Sequence, residues 1–135
     1  MTTIWSILLA ILIFGCIIAI HEFGHFIAAK RNGIQVNEFA IGMGPKIFHF
    51  QKGETLYSLR LFPVGGFCSM EGEDAESKNA CAFDQKPVWR RMIVVLAGAF
   101  MNLVLGFVLL IATTCSDPYL ISNTIHGFHE QATSN

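Results

Sequence analysis

Charge is scarce in this chain of 135 residues. Only 14% are Asp, Glu, Lys or Arg, against roughly 25% in an ordinary soluble domain. With 53% hydrophobic residues and a mean hydropathy of +0.50, that shortage excludes a disordered or acidic-tail chain. It also argues against a fully water-soluble one. A basic excess is missing too. Nine Lys and Arg stand against ten Asp and Glu, a net charge of −1, which leaves nothing to hold nucleic acid. The four cysteines include no Cys-x-x-Cys spacing, so neither a zinc knuckle nor a thiol redox pair is indicated. Cys16, Cys68, Cys81 and Cys115 read as small apolar fillers. No Lys or Arg precedes Lys30 and none follows Arg91. The missing basic start, a long apolar run and the lack of a small-x-small cleavage site argue against a cleaved signal peptide.

What the chain does have is two apolar blocks, one near each end. Residues 4–29 open with seventeen positions free of charge, then carry His21-Glu22-Phe23-Gly24-His25 and end before Lys30-Arg31. Twenty-six helical residues span about 39 Å, enough to cross a hydrocarbon core of about 30 Å with tilt. Residues 92–114 carry no charge and one strongly polar side chain, Asn102. Both blocks satisfy the length and hydropathy test for transmembrane helices. All nine basic residues lie between them. The positive-inside rule therefore places the middle segment in the cytoplasm and both termini outside. Trp5 and Trp89 fit anchors at the two interfaces.

The middle segment reads as β structure with breaks. Gly33 ends the first helix. Residues 34–41 read as a short strand, 42–45 (GMGP) as a turn, and 46–51 and 55–61 as a hairpin around Lys52-Gly53-Glu54. Residues 63–67 (PVGGF) break it. The hairpin is rich in Ile, Leu, Phe and Tyr, and beside two membrane helices it is expected to lie against or dip into the bilayer. Residues 72–85 are polar, and the cluster Glu71, Glu73, Asp74 and Glu76 reads as a solvated loop.

The chemistry concentrates in His21-Glu22-Phe23-Gly24-His25, an H-E-x-x-H. On a helix the two histidines sit about 40° apart and one turn from each other, so both imidazoles reach one zinc ion. Glu22 lies about 100° round from His21. It stands beside the ion without ligating it, placed to take a proton from a zinc-acidified water. His21 is nine residues before Lys30, about 14 Å along the helix. An Asp-type charge at the centre of a span costs about 2.5–3.5 kcal/mol on insertion scales, so these groups need partners. Two blander readings remain: polar residues pairing within a helix bundle, or a zinc site at the interface on a first helix that ends near Ile20.

Asn102 is the other polar group within a block. Gly98, Asn102 and Gly106 form an i, i+4, i+8 stripe that admits a neighbouring helix closely. Asn102 reads as helix–helix glue, as a donor toward a substrate carbonyl, or as both.

Together these stretches resemble the amino-terminal part of a site-2 protease, of the bacterial regulator-of-sigma-E zinc metalloprotease type. The matching segments are HEFGHF (21–26), FAIGMGP (39–45), PVGGF (63–67), MEGE (70–73) and FDQKPVWRR (83–91), with LAGAFMN (96–102) similar to the family's A-G-P-x-x-N. The resemblance implies His21 and His25 as zinc ligands, Glu22 as general base or acid, and Asn102 with Gly98 as substrate contacts. It implies Zn2+ as cofactor, single-pass transmembrane proteins as substrates, and a membrane-reentrant β element whose edge pairs with a substrate strand. Ala99 and Phe67 stand where the family usually has Pro and Tyr.

The expected architecture is therefore an α-helical membrane protein. Two transmembrane helices (4–29 and 92–114) are joined by a cytoplasmic segment with a membrane-associated β-hairpin region (34–67), the whole forming a membrane domain over 1–114. Residues 115–135 are expected to be a linker and the truncated start of an extracytoplasmic PDZ-like domain. The family's third zinc ligand, an Asp on a later helix, has no counterpart here, and Asp74, Asp84 and Asp117 have the wrong context. The expectation is an incomplete chain whose missing helices complete the site. The alternatives are a membrane-anchored zincin facing the cytoplasm and a non-catalytic remnant.

Overall fold

The computed structural model describes residues 2–116. The expected PDZ-like start and Asp117 lie outside the described residues. Four elements follow one another: helix α1 (Thr2–Arg31), strand β1 (Val36–Lys52), strand β2 (Thr55–Met70) and helix α2 (Val88–Ser116).

α1 has 30 residues, about 45 Å of helix. Its apolar run contains no proline to interrupt it, and Lys30 and Arg31 occupy the last turn, where cations suit the helix dipole. Gly33 then adopts φ 68°, and the Ile34 amide returns to the Ala29 carbonyl at 3.0 Å. The Asn32 side-chain amide also donates to the Ala28 carbonyl at 2.8 Å. The Ala28 and Ala29 carbonyls near the end of the helix are thus satisfied without water. α2 has 29 residues, and its first turn starts behind Pro87, whose carbonyl accepts from Arg90 and Arg91. Both helices are long and apolar enough to cross a membrane. Their large side chains stand exposed, Leu8 at 52%, Phe14 at 56% and Phe100 at 62% among them. Apolar surface of that extent needs lipid or protein against it.

The expected turn at 42–45 and break at 63–67 are bends inside continuous strands rather than gaps between short ones. Gly42 and Gly65 sit at φ 86° and 83°, a region that side-chain-bearing residues rarely enter. There each strand changes direction without leaving the ladder. Past the bends, Phe48 pairs with Leu59 and Gln51 with Leu56, while Val36 pairs with Met70 and Ala40 with Phe67. The early leg of β1 also pairs Phe39 with Tyr57 and Ala40 with Ser58. That leg is therefore held on both edges. Residues 66–70, of which 66 and 67 fall within the expected break, are the leg that covers it.

A polar knot ties the legs together. Glu38 accepts from the Ser58 hydroxyl at 2.6 Å, from Arg60 at 2.9 Å and from Lys46 at 3.3 Å. Burial raises its carboxyl, and those three donors outweigh the burial and hold it below the usual carboxylate range. The acidic cluster is solvated as expected, with Glu73, Asp74 and Glu76 exposed, and two of its carboxylates are also tied to the chain. Glu71 accepts from Asn37 at 2.8 Å and from the Ser77 hydroxyl at 2.7 Å, and Glu73 accepts from the Met70 amide at 3.2 Å. The Asn37 and Ser77 bonds keep Glu71 below its ordinary range.

The core is small and sits where α1, the start of β1, the end of β2 and α2 meet. Ala29, Val36 and Val94 are fully buried and Ile34 is nearly so. Phe39, Cys68 and Met70 complete it, with Phe26, Tyr57 and Phe83 packed around. It begins one helical turn past His25 and fixes the depth at which α1 meets α2.

Candidate metal centre

His21 and His25 project from one face of α1, with ring centroids 4.8 Å apart and planes at 78°. Their Nε2 atoms converge to 3.1 Å. Both rings are half-buried, because α2 covers them. Three α2 residues spaced by four meet the pair in order. The Val94 carbonyl accepts from His25 Nδ1 at 2.7 Å. Gly98 lies against both Nε2 atoms. Asn102 Nδ2 lies 3.2 Å from His21 Nδ1. The later histidine meets the earlier α2 residue, so the helices run antiparallel here. A Cβ built on Gly98 would stand 2.6 Å from His21 Nε2 and nearer still to His25 Nε2. A helical side chain covers the turn before its own Cα. With none at position 98, the two rings reach α2 and the Val94 carbonyl. Gly24 serves the same approach from α1: a Cβ there would stand 2.5 Å from the Ala97 carbonyl oxygen.

Glu22 faces the other way, toward β2. Its Cγ would be 3.8 Å from a Cβ on Gly66. It borders a cavity of about 190 Å³ together with His25, Cys68, Glu73, Phe83 and Val94. Among the described residues it makes no hydrogen bond or ion pair. Burial pushes the Cys68 thiol up to about 12, and the Glu22 and Glu73 carboxylates add to that. Cys68 is therefore a neutral wall of the cavity at any physiological pH. The β2 wall is what the sequence reading missed. Its signal lay in the Gly65-Gly66 pair, which admits a close backbone.

The donors suit a zinc ion as far as they go. Two ligand nitrogens on one tetrahedral zinc lie about 3.3 Å apart, close to the separation of this pair. Each ring's second nitrogen has a polar neighbour, the Val94 carbonyl for His25 and the Asn102 amide for His21, the kind of outer contact that orients metal-bound histidines. Among the described residues no group of three His, Cys, Asp or Glu side chains could hold a metal ion. Catalytic zinc normally has three protein ligands, and the described residues offer two of them.

Residues 9–134 match the profile of Peptidase family M50. The chain belongs to that family. A Clostridium perfringens protein named "putative zinc metalloprotease" is 49% identical over 113 residues, 84% of this chain and 34% of its own length. A Fusobacterium nucleatum protein of the same descriptive name is 43% identical over 108 residues, 80% of this chain and 32% of its own length. The zinc metalloprotease RasP of Geobacillus kaustophilus is 53% identical over 75 residues, 56% of this chain and 18% of its own length. The chain thus spans about a third or less of these M50 relatives. The M50 match includes the H-E-x-x-H, the whole β region and the α2 stripe.

Proposed function

We propose that this chain is the amino-terminal part of an intramembrane zinc metalloendopeptidase that hydrolyses peptide bonds of single-pass membrane proteins. The observation that carries the reading is the convergence of His21 and His25 Nε2 at 3.1 Å on a helix able to cross a membrane. A carboxylate stands at the adjoining position, and a cavity opens beside it. His21 and His25 are the two zinc ligands this chain supplies. The third comes from a later helix of the same polypeptide. The protein resides in the cell membrane with the β region on the cytoplasmic side, a reading supported by the confinement of every Lys and Arg to positions 30–91.

When bound, zinc supplies Lewis acidity that brings the pKa of its water toward about 7. The residues of this chain do the rest. Val94 and Asn102 hold the two rings. Glu22 takes a proton from the attacking water at a carboxylate oxygen and delivers it to the departing amide nitrogen. The α1–α2 contact excludes lipid from the rings, and the cavity against β2 admits an extended backbone.

The test is cleavage by the full-length protein in lipid vesicles, with a single-pass substrate in the same bilayer. Cleavage within the substrate's apolar span, stopped by a zinc chelator and restored by zinc, is expected. Cleavage confined to water-exposed segments would favour the membrane-anchored zincin instead.

A further inference from the structure

A second opening follows the α1–α2 contact, apart from His21, Glu22 and His25. It is a groove of about 260 Å³ that runs from Arg31 and Asn32 to Gly24 on α1, and from Ile93 to Met101 on α2. Seven or eight helical residues give it a length of about 10–12 Å. Its floor is the close approach of Gly24 to Ala97, where neither helix has a large side chain. Ile27, Ile93 and Phe100 make its walls, and Ile93 and Phe100 stand exposed. The volume exceeds the roughly 150 Å³ that holds a benzene molecule in a protein interior.

The mouth of the groove is chemically different from its walls. Arg31 lines it. Arg90 donates to the Asn32 carbonyl at 3.4 Å, which brings a second guanidinium to the same end. Lys86 Nζ lies 3.8 Å from where a Cβ on Gly33 would stand. Three cations thus gather around residues 31–33. None of them joins an ion pair among the described residues, whose pairs use Lys30, Lys46 and Arg60 instead. Like charges gathered in this way repel unless an anion sits among them. Arg31 closes the apolar run of α1, and Trp89 stands at the start of α2. Those are the places where a membrane helix meets the headgroups.

We infer that this groove binds one phospholipid of net-negative headgroup, with its phosphate among Arg31, Lys86 and Arg90 and an acyl chain along Ile27, Ile93 and Phe100. Guanidinium and ammonium groups are strong donors to phosphate, and basic pockets between membrane helices on the cytoplasmic side suit anionic headgroups. A later helix of the same polypeptide would fill the apolar part and leave three cations without a counter-charge. The phospholipid satisfies both ends. Its binding does not depend on a metal, so it stands or falls apart from the zinc site.

The experiment uses the full-length protein in phosphatidylcholine vesicles that contain a trace of phosphatidylglycerol with a photoreactive diazirine on one acyl chain. Peptide mass spectrometry after illumination locates the label. Labels at 24–31 and 93–101 are expected, at a yield about tenfold or more above that from the same diazirine chain on phosphatidylcholine, because each cation at a membrane surface counts for about fivefold. Arg31→Gln/Lys86→Gln removes two side chains that make no hydrogen bond or ion pair among the described residues, and it is expected to bring the two headgroups within about twofold of each other. Arg31→Lys/Lys86→Arg keeps the charge and is expected to keep the preference. Equal labelling of the wild type by both headgroups overturns the inference, as does a full preference in the glutamine variant. An unlabelled groove in the wild type also overturns it and shows that a later helix covers this face.

Discussion

Replacing Glu22 by glutamine in the full-length protein is expected to abolish peptide-bond cleavage while leaving zinc in place. Glutamine has the same shape but takes no proton at its side-chain oxygen near neutral pH. Positioned acid–base groups contribute about 10²–10⁴-fold to rate, and a loss at the upper end is expected where one carboxylate handles both transfers. Little else depends on this side chain. It makes no hydrogen bond or ion pair among the described residues, and it borders open space. The variant should therefore unfold within about 0.5 kcal/mol of wild type, as surface-like substitutions do. Bound zinc should persist too, because the ligand rings are held by Val94 and Asn102. Cleavage by Glu22→Gln at the wild-type rate would remove Glu22 from the reaction. Loss of zinc together with activity would show instead that Glu22 is a ligand.

Gly98→Val is expected to have the second large effect. Even the Cβ of alanine at this position falls among the imidazole nitrogens. Two rigid rings and a helix backbone have no flexible end that can move away. Overpacking a tight contact costs about 1–3 kcal/mol, here divided between separating α1 from α2 and displacing the rings. Each 1.4 kcal/mol that falls on the loaded site is about tenfold in affinity. Gly98→Ala should weaken zinc binding by about tenfold or more, and Gly98→Val should weaken it further. Isothermal titration with zinc on stripped protein reads this directly. Unchanged affinity in Gly98→Ala would mean that the helices do not meet as closely as the Gly24–Ala97 and Gly98–histidine contacts require.

Much of this site was legible in the sequence because it obeys helical periodicity. His21 and His25 one turn apart, and Gly98 and Asn102 one turn apart, each have to face a single direction. Two such stripes in two apolar blocks point toward each other. The Val94 carbonyl was not legible, since a backbone acceptor leaves no mark on residue identity. It becomes available only because position 98 has no side chain. The β region was legible in outline and misread in detail. Gly42 and Gly65 signal a change of direction, and from sequence alone that looks the same as the end of a strand. Here the pairing of Ile41 with Gly66 and Met43 with Phe62 carries the strand through the bend. Contacts so distant in sequence have no local signal. The same pairing brings Cys68 and Glu73 beside Glu22, an arrangement that spacing along the chain does not encode.

The charge knot around Glu38 follows the same logic. Its donors come from 46, 58 and 60, positions that become neighbours only once both strands have bent. In a sheet this apolar, such charges persist because they satisfy one another.

The central claim is that His21 and His25 together grip a zinc ion. Elemental analysis of the purified full-length protein, beside a His21→Ala/His25→Ala double variant that still folds and inserts, measures this most directly. One zinc per chain in the wild type and none in the variant is the expected result. A wild type free of zinc when purified without chelator, or a variant that keeps its zinc, would contradict it.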